Sequence, residues 1–183
     1  MRGPRAMQSD KCHSTCRHRL CSYFGPMTSF GHMIHLSNAA ATSTFAAAIG
    51  ARLSPRDIIL LRGPVGAGKT HFARALIQSI LDVPEEVPSP TFTLIQTYET
   101  NRGALWHTDL YRISFNSEID ELGLLEAFEN AICLIEWPDR LGSLQPATAL
   151  GIELIPDHDK RDAKLSWRTD RWTQIVQEVI QNA

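Results

Sequence analysis

Residues 63–70 of this chain read Gly-Pro-Val-Gly-Ala-Gly-Lys-Thr. The stretch fits the pattern G-x-x-x-x-G-K-[ST], in which glycines let the backbone curl until several N–H groups point at one anion. An aliphatic run at 57–61 precedes it and predicts a buried parallel strand, and apolar residues at helical spacing over 71–81 predict a helix. A strand, a glycine loop and a helix in this order predict a phosphate-binding loop.

The residue types in this loop suit a nucleoside triphosphate accompanied by Mg²⁺. Lys69 can place its ammonium on the β- and γ-phosphates and so act in catalysis, and the hydroxyl of Thr70 can ligate the metal. The positive end of the helix dipole adds to the field of the loop amides. We therefore assign nucleotide binding to Gly63, Gly66, Ala67, Gly68, Lys69, Thr70 and His71.

A second apolar run, at 131–136, ends in a carboxylate. A buried strand that closes on an acid is the Walker B arrangement, so Glu136 is predicted to hold Mg²⁺ directly or through water. Trp137 follows at once, and it either covers the nucleotide or a partner surface, or packs in the core. Arg140 is the only Lys or Arg between Arg112 and Lys160, so it is the candidate to reach a phosphate from within the chain.

Between these two motifs, prolines at 84, 88 and 90 predict a loop. The loop carries Thr91 and Thr93, and either hydroxyl could sense the γ-phosphate, although both threonines could also simply begin the next strand. Strands are predicted at 93–100 and 104–107, joined by a hairpin turn at 101–103. Asp109 follows the second strand, where it could orient metal or water, or cap a turn.

The remaining segments complete an α/β domain with a mainly parallel central sheet flanked by helices. We expect a short strand at 33–36, a helix capped by Ser37 and running through Ile49, and an acidic helix over 113–130 that is either solvated or a docking face for a basic partner. The end of the chain predicts a strand at 149–155, a polar turn at 156–162, a strand at 163–167 and a helix at 171–180. No chemistry is predicted for this last part.

The first 32 residues differ in composition from the rest. They hold five basic and one acidic residue, a net charge of +4, whereas residues 33–183 hold 13 basic and 19 acidic residues, a net charge of −6. The change predicts a tail, 1–32, and a domain, 33–183. Zinc binding, an organelle transit peptide, and a disordered leader or an upstream start codon with later starts at Met27 and Met33 all remain open for the tail. The tail residues that raise the zinc question are Cys12, His13, Cys16, His18 and Cys21.

The other cysteine, Cys133, lies in an apolar run and is expected in the core. Because no disulfide framework and no long apolar span are evident, we expect a cytoplasmic protein without membrane association. A guanine-specific Asn/Thr-Lys-x-Asp motif is missing, and residues 113–139 contain no Lys or Arg for a cationic kinase lid. The acidic domain also argues against strong binding to nucleic acid by the chain alone.

Five short motifs occur in one order: Gly-Ala-Gly-Lys-Thr at 66–70, Ser-Pro-Thr-Phe-Thr-Leu at 89–94, His-Thr-Asp-Leu-Tyr-Arg at 107–112, Glu-Leu-Gly-Leu at 121–124 and Glu-Trp-Pro at 136–138. From about Met33 to its end, the chain resembles the TsaE (YjeE) family. The tail lies outside the family pattern, and His71 stands where the family often has Thr or Ser.

The resemblance implies a P-loop ATPase that works with TsaD and TsaB, which place a threonylcarbamoyl group on an adenosine beside the tRNA anticodon. Its ATP hydrolysis would drive or reset that assembly, and contact with tRNA would be indirect. It implies Mg²⁺ on Thr70 and Glu136, a catalytic Asp109, and a mobile loop that carries Thr91 and Thr93. It also implies that Trp137 lies near the nucleotide or a partner. A small-molecule kinase and a nucleotide-gated binding module with negligible turnover remain as alternatives.

Overall fold

The structure is a computed structural model that describes residues 29–114, 119 and 121–181. Seven strands form one sheet in the order β1-β7-β6-β2-β5-β4-β3. The strands are β1 Phe30–Leu36, β2 Ile58–Arg62, β3 Ile95–Thr100, β4 Gly103–Asp109, β5 Ile132–Glu136, β6 Leu150–Asp157 and β7 Lys160–Trp167. The helices are α1 Ala39–Gly50, α2 Lys69–Ile80, α3 Leu124–Asn130 and α4 Asp170–Gln181, with a 3₁₀ segment at Pro138–Leu144.

The centre of the sheet is parallel, as the sequence predicted. Strand β2 pairs in parallel with both β5 and β6, and β4 pairs in parallel with β5. The outer pairs β1–β7, β6–β7 and β3–β4 are antiparallel. All five residues of β5 are buried, which explains its unbroken apolar sequence before Glu136. Parallel strands end at the same edge, so the residues after β2, β4 and β5 meet there.

Helices cover both faces of the sheet. Helices α1, α2 and α4 pack on one face, and α3 and the 3₁₀ segment pack on the other. In α4 the buried residues recur at helical spacing and form one apolar stripe: Trp172, Ile175, Val176 and Val179. No helix in the described ranges combines the length and the apolar character that crossing a bilayer requires. The core on both faces holds the central strands, and therefore the functional edge, in place.

Several predicted boundaries were wrong. Helix α1 is capped by Asn38, not Ser37, because the Asn38 side chain accepts a hydrogen bond of 2.8 Å from the Ala41 amide. Strand β1 begins at Phe30, so residues 30–32 belong to the sheet although the predicted domain began at Met33. The other tail predictions, including the cysteines and histidines before residue 22, lie outside the described residues.

The predicted helix over 113–130 is not continuous, and the predicted turn over 156–162 is shorter than expected, at 158–159. Residues 113–114 are not helical and residues 119 and 121 are; α3 begins after them, at Leu124, because Gly123 has a φ of 71°, which a continuous helix cannot contain. The polar residues near 156–162 continue β6 and β7, which pair as far as Asp157 and Lys160. Polarity suggested a turn there, but the cross-strand hydrogen bonds of the hairpin satisfy the backbone of these residues.

Candidate active site

The loop at 63–70 joins β2 to α2 and curls back on itself. Its glycines have positive φ angles of 134° at Gly63, 79° at Gly66 and 100° at Gly68. A Cβ atom on Gly63 would lie 2.5 Å from the Leu154 carbonyl oxygen, so a side chain cannot be accommodated there. Gly68 caps α2 in the left-handed region and aims the first turn of that helix into the loop.

Lys69 lies inside this loop. Its side chain is buried, and its ammonium donates hydrogen bonds of 2.9 Å to the carbonyl oxygens of both Gly63 and Pro64. Burial lowers the pKa of Lys69, and the nearby carboxylates of Glu136 and Asp109 partly offset that effect. The structure thus holds the Lys69 ammonium against two carbonyl oxygens of the loop.

Glu136, at the end of β5, contacts the first turn of α2. The Thr70 hydroxyl donates a hydrogen bond of 2.9 Å to Glu136 Oε2, and His107 Nε2 lies 3.0 Å from Glu136 Oε1. Glu136 is 1% exposed and His107 is fully buried. The two residues predicted to ligate Mg²⁺ are therefore adjacent, and both oxygens of the carboxylate have partners.

Asp109 ends β4 beside Glu136, which is its cross-strand partner in the register. The Thr91 hydroxyl donates a hydrogen bond of 2.7 Å to Asp109 Oδ2, and the Tyr111 amide donates one of 2.9 Å to Oδ1. This amide contact is the turn-capping role that the sequence left open. The carboxylate nevertheless lines the cleft, so capping and chemistry do not exclude each other here.

The ring of Trp137 covers Lys69. The Lys69 Nζ lies 3.9 Å from the centre of the Trp137 ring. The centre of the Tyr111 ring lies 5.0 Å from the centre of the Trp137 ring, and the two ring planes meet at 48°. Trp137 is half-buried and has a φ of 58°, a conformation that is uncommon for a bulky residue and tends to occur at functional sites. Of the roles that the sequence left open for Trp137, this position favours covering the phosphate loop.

These residues enclose a cleft of about 230 Å³. It is lined by Val65, Gly66, Lys69, Thr70, Thr91, Asp109, Tyr111, Glu136 and Trp137. The described part of the chain contains no group of three or more His, Cys, Asp or Glu side chains arranged to hold a metal. Mg²⁺ needs no such group, because it keeps several waters and uses few protein oxygens. The hydroxyl of Thr70 and the carboxylate of Glu136 are hard oxygen donors that fit Mg²⁺.

Three other candidate residues lie away from the cleft lining. The His71 ring lies within hydrogen-bonding distance of Ser43 Oγ, at 3.0 Å, and of the Ala39 carbonyl, at 3.1 Å, so it ties α2 to α1. Arg140 is exposed on the 3₁₀ segment, and Thr93 is exposed beside Thr91. Of the two threonines considered as sensors, Thr91 faces the cleft.

The fold brings two further residues to this edge that were not predicted from the sequence. His107 could have been found, because residues two apart on a strand share a face and Asp109 was already a candidate. Arg161 had no local signal. It lies on β7, and its Nε donates a hydrogen bond of 3.0 Å to the Ala67 carbonyl oxygen, so it ties the loop to β7.

The fold and the site together define a class. A central parallel strand leads through a glycine loop into a helix that begins with Lys and Thr, and a neighbouring strand ends in a carboxylate beside that Thr. This is a P-loop fold. The crystal structure of YdiB from Bacillus subtilis has the same fold, with a TM-score of 0.69 and 25% sequence identity, over 85% of this chain and 97% of that one.

Comparison with known proteins gives the family. The family model for threonylcarbamoyl adenosine biosynthesis protein TsaE matches residues 36–164. The tRNA threonylcarbamoyladenosine biosynthesis protein TsaE of Rickettsia bellii is 41% identical over 127 residues, which cover 69% of this chain and 88% of that protein. The protein of the same name from Bacillus subtilis is 32% identical over 144 residues, 78% of this chain and 89% of that protein. The chain belongs to the TsaE family, which is a family of tRNA threonylcarbamoyladenosine biosynthesis.

Proposed function

We propose that this chain is the ATPase of a tRNA threonylcarbamoyladenosine machinery and works with proteins of the TsaD and TsaB type. One observation carries the proposal: Thr70 and Glu136 meet at 2.9 Å beside Lys69, which lies at the centre of the loop. A hydroxyl, a carboxylate and an ammonium in this arrangement match the needs of a metal-bound triphosphate.

The loop and five side chains of the cleft have definite parts in the proposed reaction: Lys69, Thr70, Thr91, Asp109 and Glu136. The loop amides and Lys69 bind the phosphates and stabilise the charge that develops during in-line attack by water. Thr70 and Glu136 would hold Mg²⁺, which neutralises phosphate charge when bound. Asp109 orients the attacking water or accepts its proton, and Thr91 connects that carboxylate to the loop before β3.

The charge of the cleft supports slow hydrolysis by the chain alone. Among the described residues that line it, Lys69 is the only cation. Fast phosphoryl-transfer enzymes of this class commonly add an arginine in cis or from a partner protein. We therefore propose that a partner completes the site and accelerates turnover.

The acidic domain supports a division of labour. Residues 33–183 have a net charge of −6, which disfavours tight binding to a polyanion. We propose that tRNA is contacted mainly by the partners and that the complex works in the cytoplasm. Tight binding of tRNA by the isolated protein at physiological salt would contradict this part of the proposal.

The decisive experiment measures phosphate release from ATP by the full chain, alone and with purified TsaD and TsaB. We expect slow release alone and faster release with both partners. Product analysis separates the alternatives, because a kinase would transfer phosphate to an acceptor metabolite instead of releasing it. Tight ATP binding without turnover under every condition would instead favour a nucleotide-gated binding module.

A further inference from the structure

A buried histidine outside the predicted site contacts the predicted metal ligand. His107 is 0% exposed on β4, and its Nε2 lies 3.0 Å from Oε1 of Glu136, on the neighbouring strand β5. We propose that His107 is a positioning residue that fixes the Glu136 carboxylate for Mg²⁺. The inference rests on the proposed function, because it assigns the histidine a part in building the same metal site.

The contact defines which ring nitrogen carries the proton. A carboxylate oxygen can only accept a hydrogen bond, so His107 Nε2 must donate. The other ring nitrogen, Nδ1, is buried without a partner among the described residues. The geometry therefore places a hydrogen on Nε2, where it is donated to Glu136.

The two oxygens of Glu136 are divided between two partners. Oε1 receives the His107 hydrogen bond from within the sheet, and Oε2 receives the Thr70 hydroxyl from the cleft. A buried carboxylate without partners would turn or protonate. Because His107 holds one oxygen on the sheet side, the other oxygen faces Thr70 and the place assigned to the metal.

Hydrogen bonds to a metal ligand set its orientation and its basicity. Removing such a partner costs about 10- to 100-fold in metal affinity in other metal sites. We expect a loss of this size in the apparent affinity for Mg²⁺ in the presence of ATP. The affinity for ATP in the absence of Mg²⁺ should not change.

Three substitutions of His107 distinguish the effect of the position of the hydrogen-bond donor from the effect of side-chain packing. H107Q places an amide N–H close to the position of Nε2, whereas H107N places one close to Nδ1, and H107L fills the space without a donor. Thr108→Val is the matched control, since Thr108 is equally buried on the same strand and its hydroxyl has no partner in the described structure. Binding of a fluorescent ATP analogue is titrated with Mg²⁺ for each full-length variant, and thermal unfolding is recorded for each.

We expect H107N and H107L to need about 10- to 100-fold more Mg²⁺ than the wild type, and we expect H107Q and T108V to stay close to it. Equal Mg²⁺ dependence in all the variants would overturn the inference. So would equal losses in H107Q, H107N and H107L, because packing alone would then explain them. If the wild type itself shows no effect of Mg²⁺, it is the proposed function that fails, and the inference falls with it.

A second measurement needs neither nucleotide nor metal. Nitrogen-15 NMR of the ligand-free protein reports which imidazole nitrogen carries the hydrogen. We expect the His107 hydrogen on Nε2. A hydrogen on Nδ1 with a bare Nε2 would rule out donation to Glu136 and would overturn the inference, whatever the Mg²⁺ titration shows.

Discussion

The ends of β4 and β5 carry two carboxylates side by side, but the two are held in different ways. Glu136 on β5 is held by His107, from the neighbouring strand, and by Thr70, from the first turn of α2. Asp109 on β4 is held by the Thr91 hydroxyl, from the loop before β3, and by the Tyr111 amide, in the turn that follows β4. The partners of Glu136 thus lie in regular secondary structure, and the partners of Asp109 lie in a loop and a turn.

The difference indicates different tasks for the two acids. A metal ligand benefits from a preorganised position, and the sheet and α2 give Glu136 that position. The loop that carries Thr91 also carries Phe92, which is 85% exposed. The central carbon of the Arg112 guanidinium lies 5.4 Å from the centre of the Phe92 ring. Loops with few buried contacts move at low cost, so the position of Asp109 can respond to what the loop binds.

The largest expected effect comes from Lys69, because both carboxylates are proposed to act on phosphates that Lys69 binds. Lys69→Ala should lower phosphate release by about 10³-fold, the upper range for removal of one preorganised charge. Steady-state turnover with the partners present measures the effect. Lys164→Ala, at an exposed lysine on β7, is the control and should behave as the wild type. Near-normal turnover of Lys69→Ala would contradict the assignment of the cleft.

Glu136→Gln tests the carboxylate that the sheet fixes. The amide keeps the shape and can still accept the Thr70 hydrogen bond, but it lacks the charge that attracts Mg²⁺. We expect turnover about 100-fold lower, with ATP binding in the absence of Mg²⁺ preserved. Turnover titrated with Mg²⁺ provides the measurement, and Glu153→Gln on β6 is the control. A Mg²⁺ dependence like that of the wild type would show that Glu136 is not a metal ligand.

Thr91→Val tests the carboxylate that the loop holds. The change removes the hydrogen bond to Asp109 Oδ2 and keeps the shape of the side chain. We expect kcat to fall about 10-fold, since a hydrogen bond to a charged group contributes about 1.5 kcal/mol at the lower end of its range, and this corresponds to a tenfold change in rate. Thr93→Val is the matched control at an exposed position of the same loop. If Thr93→Val lowers kcat more than Thr91→Val does, the sensor is Thr93.

The smallest effect is expected at Cys133, inside β5 and away from the cleft. Burial raises the pKa of the Cys133 thiol to about 12, whereas an unfolded thiol ionises near pH 8.5. Between these values unfolding releases a proton, so the free energy of unfolding falls as pH rises, by up to about 1.4 kcal/mol per pH unit. At neutral pH the thiol should contribute no pH dependence.

Urea unfolding of Cys133→Ala and the wild type across the alkaline range checks this expectation. The variant should lose the part of the alkaline slope that comes from the thiol. Mass spectrometry after treatment with iodoacetamide near neutral pH should find Cys133 unmodified in the folded protein and modified in urea. Rapid modification of the folded protein would mean that β5 is less well buried than the structure indicates.

Much of the central sheet could be predicted from the sequence, because local patterns there agree with the tertiary structure. Strands β2 and β5 are short aliphatic runs that end beside functional residues, and buried parallel strands have that composition. The bounds of the helix predicted over 113–130 could not be predicted correctly, because the acidic sequence runs through Gly123, whose backbone conformation interrupts the helix. The extension of β6 and β7 into polar residues depends on cross-strand pairing, which local polarity does not report.

For the site, too, local sequence patterns predicted some residues, and the contacts of others depend on the tertiary structure. The choice between Thr91 and Thr93 needed the direction in which each side chain points, and the sequence does not contain it. Arg140 lies shortly after Glu136 in the sequence, yet it is exposed and does not line the cleft. Arg161 is distant in sequence, yet it contacts the loop because the β6–β7 hairpin lies beside β2.

The sequence alone determined the phosphate loop, the strand that ends in Glu136 and the family, because glycine, lysine and acidic residues at fixed local spacings have few other uses. The tertiary structure alone decided which side chains complete the site. His107, Thr91 and Arg161 reach it through strand pairing and loop path, and such contacts between distant parts of the chain depend on the register of the whole sheet.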